Sequence, residues 1–61
     1  MSTSFIPPTR EEIIMELKRQ YVEEKYYEEA LQIVPRRMET NECSLKEAVE
    51  FIVYWVHRVN N

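Results

Sequence analysis

Glycine and aspartate are both missing from this 61-residue chain, and cysteine and histidine occur once each. Without glycine there is no loop whose backbone can close on a phosphate, and no dinucleotide-binding turn. Without aspartate as well, an EF-hand loop is excluded. A single cysteine makes no intrachain disulfide, and one cysteine with one histidine cannot complete a structural zinc site. Long hydrophobic runs are also missing. The longest, Phe51 to Val56, falls far short of the ~20 residues a membrane span requires. These absences predict a chain with no cofactor, no metal and no membrane partner.

The chain does have a globular balance, with 44% hydrophobic and 31% charged residues. Eight basic residues stand against eleven glutamates, for a formal charge of −3. The length suits a single domain. A domain of about 60 residues hides only about 60% of the surface its unfolded chain exposes. Its core is therefore marginal, and small scaffolds usually add a covalent staple or a partner. The first eight residues carry neither the basic cluster nor the apolar stretch of a secretory signal. Ser2 stands where myristoylation needs glycine, and Val59-Asn60-Asn61 is no prenylation box. With the lone Cys43, this predicts a soluble cytoplasmic protein.

Residues 1–8 read as an extended arm, because Pro7 and Pro8 lack amide protons and favour polyproline geometry. Phe5 and Ile6 either pack back as a hydrophobic staple or form a docking arm. Residues 9–61 read as one helical domain. Thr9 and Glu12 have the spacing of a capping box, and Ile13, Ile14, Leu17 and Tyr21 recur at three and four. That predicts a first helix over about 10–24, with Glu16 facing Arg19 and Gln20 on its exposed flank. A second stripe, Tyr27, Ala30, Leu31, Val34 and Met38, is out of phase with the first. Tyr21 and Tyr27 are six residues apart, about 120° out of register at 3.6 residues per turn. The register change predicts a second helix over about 26–40, ended or kinked at Pro35. Ser44 and Glu47 form a second capping-box signal ahead of Leu45, Ala48, Val49, Ile52, Trp55, Val56 and Val59. A third helix over about 44–59 follows, favoured by length, cap and period over a strand at the β-branched Phe51–Val56. The fold class is thus all-α: three helices, a helical hairpin plus a strongly apolar C-terminal helix, expected to dimerise.

Residues 14–34 resemble one helical hairpin of the tetratricopeptide type. Leu17, Tyr21, Tyr27, Ala30 and Leu31 stand where that repeat places its apolar signature residues. Lys18 and Lys25 depart from its small-residue positions, Pro35 falls early, and there is no second copy. The resemblance implies a helical hairpin and nothing about ligands.

Catalytic chemistry has little to draw on. Cys43 precedes a helix N-terminus, where the dipole can lower a thiol pKa. His57, the only imidazole, lies fourteen residues on, roughly 20 Å away along a helix, so the two form no dyad. Glu24 and Glu28, one turn apart, would need histidines from another helix to hold a metal. The expected function is therefore non-enzymatic. Phe51, Val53 and Tyr54 fall off the core stripe of the third helix and add to Trp55, an apolar excess that marks an association surface. Phe51, Val53, Tyr54 and Trp55 are the expected protein-interface anchors. Glu23, Glu24, Glu28 and Glu29 form the expected acidic rim that sets orientation and on-rate. The reading is a small regulator, inhibitor or adaptor that docks on a larger protein and self-associates as a homodimer through the C-terminal helix. Its size suits accessory factors of the kind viruses and mobile elements encode. The alternative is a helix-turn-helix-type DNA-binding regulator with Arg36 and Arg37 on phosphate, opposed by the acidic net charge.

Overall fold

The computed structural model describes residues 5–60. They form three α-helices: α1 (Arg10–Arg19), α2 (Tyr27–Asn41) and α3 (Leu45–Val59), with a 3-10 turn at Glu24–Tyr26 ahead of α2. There is no strand among the described residues, so the fold is all-α.

Both expected capping boxes are formed. The Glu12 amide donates to Thr9 Oγ1 at 3.1 Å and the Thr9 amide to Glu12 Oε1 at 2.9 Å. At α3 the Glu47 amide donates to Ser44 Oγ at 3.2 Å and the Ser44 amide to Glu47 Oε1 at 3.0 Å. Each box satisfies two helix-end donors that otherwise lack partners, a contribution of about 1 kcal/mol per cap.

The first helix is shorter than its apolar spacing predicts. It stops at Arg19, and Tyr21 takes a left-handed conformation with φ 63°. The Val22 amide donates to the Leu17 carbonyl at 2.9 Å, and the Tyr21 amide to the Lys18 carbonyl at 3.1 Å. This pair of bonds is a Schellman motif, whose left-handed position is normally glycine. In a chain without glycine a tyrosine occupies it. The reversal throws the Tyr21 ring into solvent, 93% exposed, so it is not the core residue the stripe suggests. Its neighbour Val22 is buried in its place and joins Leu17, the apolar contact that accompanies this motif.

Pro35 neither ends α2 nor defines its boundary; the helix continues to Asn41. The ring's fixed φ is compatible with a helix, and the loss is mainly the bond an amide at 35 would make to the Leu31 carbonyl. Burial on both sides opposes that cost: Val34 is fully buried, and Met38 packs against the core one turn later. Glu42, at φ 52°, then turns the chain out of α2, again with no glycine.

The core is contributed by all three helices and the α1–α2 link: Ile13, Leu17, Val22, Tyr26, Ala30, Val34, Ala48, Val49 and Ile52. A polar tie joins α1 to α3, where Gln20 Nε2 donates to Glu16 Oε2 at 2.9 Å and to the Lys46 carbonyl at 3.2 Å. Tyr26 closes the other end. Its ring meets Trp55 edge-on at 6.0 Å and 84°, and its hydroxyl donates to Asn60 Oδ1 at 3.3 Å.

Candidate functional site

The four expected anchors on α3 do not share one face. At about 100° per residue, Phe51 and Trp55 fall on one flank of the buried stripe, and Val53 falls on the opposite flank. The structure follows this geometry. Val53 lines an open cleft of about 440 Å³ with Tyr21, Val22, Glu23, Val56 and His57. Trp55 packs on Tyr26, and Phe51 lies beneath the Arg37 guanidinium, whose Cζ is 3.5 Å from the ring centroid. Both are half-buried against the core. Tyr54 alone of the four is exposed, at 62%, with Arg58 Cζ 6.0 Å from its ring centroid.

The α3 surface is therefore less bare than its composition implies. The two neighbouring helices and the Tyr26 ring cover Ala48, Val49 and Ile52 fully, and Leu45, Phe51, Val53, Trp55 and Val56 in part. What remains is an aromatic row, Phe51–Tyr54–Trp55, with guanidinium groups over two of its three rings. A guanidinium stacked on a ring contributes about 0.5–2 kcal/mol, depending on desolvation. It also keeps its N–H edge free to donate. The groups that cover the rings are guanidiniums and not the expected Glu23, Glu24, Glu28 and Glu29. Among the described residues, ion pairs occur only at Glu16–Arg19, 4.0 Å, and Glu23–Lys25, 3.7 Å. Neither Arg37 nor Arg58 belongs to one.

The acidic rim does not encircle this row. Glu23 borders the Val53 cleft. Glu24 and Glu28 line a separate cleft between α1 and α2, and Glu29 is simply exposed. The two arginines of the phosphate-binding alternative border one shallow cleft with Ile33, Thr40 and Asn41, where Arg36 is exposed and Arg37 is half-buried over Phe51.

Cys43 and His57 occupy unrelated places. The Cys43 thiol is half-buried and donates weakly to the Arg37 carbonyl at 3.8 Å, back toward α2. His57 is exposed beside Val53 and Val56. No group of three or more potential metal ligands is assembled among the described residues, nor is any helix there long and apolar enough to cross a membrane.

The arm before α1 adds apolar surface that sequence reading left open. Ile6 is 82% exposed and Phe5 37%, so Ile6 does not act as a closed staple. Ile6, Pro7 and Pro8 instead form one wall of an open cleft of about 450 Å³, opposite Met15, Met38 and Leu45. Met15, 67% exposed, fell outside every apolar stripe, and only the arm's position links it to Ile6.

No protein-family model matches the chain, and no curated protein or solved structure matches it.

Proposed function

We propose that this chain is a small non-enzymatic regulator, inhibitor or adaptor that acts by docking on a larger protein. The observation that carries the reading is the aromatic row on α3. Phe51 and Trp55 are held in place by the core, and Tyr54 projects beside them, away from the core, at 62% exposure. Aromatic side chains fixed at their base and open at their tip lose little entropy on binding, and Tyr, Trp and Arg dominate interface energetics. Arg37 and Arg58, already placed over rings, supply oriented donors for a partner's carboxylates or carbonyls. Self-association belongs to the same proposal: a domain this small with Ile6, Met15, Tyr21 and Tyr54 exposed gains by covering apolar surface with a second copy.

Tyr54→Lys tests the docking face without touching the core. Proteins recovered with the tagged wild-type chain should be lost with Tyr54→Lys, while helical content by circular dichroism is unchanged. Recovery of the same partners at the same yield by the variant would move the docking site away from α3.

A further inference from the structure

The cleft between α1 and α2 has two walls of opposite charge. Arg10, Ile14 and Lys18 recur every four residues, so they form one ridge along α1. Across from it stand Glu24 on the 3-10 turn and Tyr27, Glu28 and Leu31 on α2. All four charged residues are exposed, whereas Ile14, Tyr27 and Leu31 are half-buried between them. The open volume is about 520 Å³. No cation of the α1 wall forms an ion pair with a carboxylate of the opposite wall; both ion pairs among the described residues lie elsewhere.

This pattern constrains what fits the cleft. A partner of one sign would meet attraction along one wall and repulsion along the other. A surface with the same two ridges, turned over, meets attraction along both. A two-fold axis running along the cleft does this, because it sets the basic ridge of one copy over the acidic ridge of the other. Such an interface is isologous, and each contact occurs twice. The apolar floor of Ile14, Tyr27 and Leu31 then faces its own mate and leaves water.

We infer that the α1–α2 cleft is the homodimer interface, a second copy of this chain lying across it with Arg10 and Lys18 facing the partner's Glu24 and Glu28. The inference rests on the self-association proposed above and moves it from the exposed Ile6, Met15, Tyr21 and Tyr54 to the cleft between α1 and α2. The aromatic row on α3 is thereby left free for a larger protein. The acidic residues expected to rim the docking face have a different role here: Glu24 and Glu28 fix the register of the dimer. Charge complementarity of this kind governs specificity and on-rate more than raw affinity, so the dimer weakens as salt screens the two walls.

The test is a charge swap followed by sedimentation equilibrium at low salt. Wild type should show a concentration-dependent species of twice the 7.5 kDa chain mass. Arg10→Glu with Lys18→Glu makes both walls acidic, and Glu24→Lys with Glu28→Lys makes both basic. Each double variant alone should associate at least ~100-fold more weakly, since like charges then face each other along both walls. An equimolar mixture of the two should regain the dimer, because an all-acidic cleft then faces an all-basic one. All substituted positions are exposed, and circular dichroism verifies that the variants fold. A wild-type chain that stays monomeric at low salt up to millimolar concentration overturns the inference. So does a dimer that persists in both double variants. Loss of such a persistent dimer in Tyr54→Lys would return self-association to α3, and partner recovery by the charge variants reports separately on docking.

Discussion

Tyr21 occupies a backbone position that glycine would fill at no steric cost. For an L-residue with a Cβ, the left-handed region costs roughly 1–2 kcal/mol. The Schellman bonds and the burial of Val22 against the core hold it there. Tyr21→Gly relieves the strain, and the larger unfolded-state freedom of glycine takes back about 0.5–1 kcal/mol. The expected outcome is a gain of up to ~1 kcal/mol. A domain of this size responds with a melting temperature about 4–8 °C higher per kcal/mol, read by thermal denaturation. A lower melting temperature would show that the exposed ring contributes through Val53 and Val56 across their shared cleft. Glycine content alone signals nothing of this strain; φ at residue 21 does.

At the scale of the element, the helices divide into parts the sequence specifies locally and parts it does not. Capping boxes act within four residues, so Thr9–Glu12 and Ser44–Glu47 are legible from spacing, and both hold. The end of α1 is not legible that way, because the apolar period runs on through Tyr21. Pro35 shows the converse. Its local chemistry argues for a break, yet α2 passes through it with Val34 fully buried beside it. An interior proline costs a helix up to about 3 kcal/mol. Pro35→Ala restores the amide and should stabilise the domain by about 1–2 kcal/mol after losing some contact of the half-buried ring. Urea denaturation measures this as a higher midpoint at unchanged slope. A loss of stability would mean that the ring's packing matters more than the missing bond.

At the scale of the molecule, α1, α2, α3 and the link before α2 share one set of buried residues, the single core among the described residues. Such a core should unfold as one unit. Trp55, half-buried against Tyr26, reports on the α3 end, and far-ultraviolet circular dichroism reports on all three helices. The two signals should give coincident transitions. Leu17→Ala, at a site with no exposed surface, should cost about 2–5 kcal/mol, enough to unfold much of so small a domain at 25 °C. Separated transitions, with α1 lost before Trp55 changes, would divide the molecule into independently stable parts. The functional surfaces also belong to this scale. The expected anchors Phe51, Val53, Tyr54 and Trp55 are close in sequence but divide between two flanks of α3, and of the four glutamates Glu23 borders one cleft, Glu24 and Glu28 another, and Glu29 neither. Neighbours along the chain become neighbours on a surface only where helix phase and packing put them together.

The sequence by itself determined the helical class, the three-element order, both N-terminal caps and most of the core, including Ile13, Leu17, Ala30, Val34, Ala48, Val49 and Ile52. These follow from periodicity and short-range hydrogen bonding, which act within about one or two turns. The tertiary structure alone decided where α1 stops, that α2 survives Pro35, that Tyr26 is buried and Tyr21 is not, and that Arg37 covers Phe51. It also decided that Arg10 and Lys18 stand across a cleft from Glu24 and Glu28. Each of these depends on energy exchanged between segments distant in the chain: burial that outweighs a lost hydrogen bond, strain tolerated for a packed valine, and a guanidinium on α2 that finds its ring on α3.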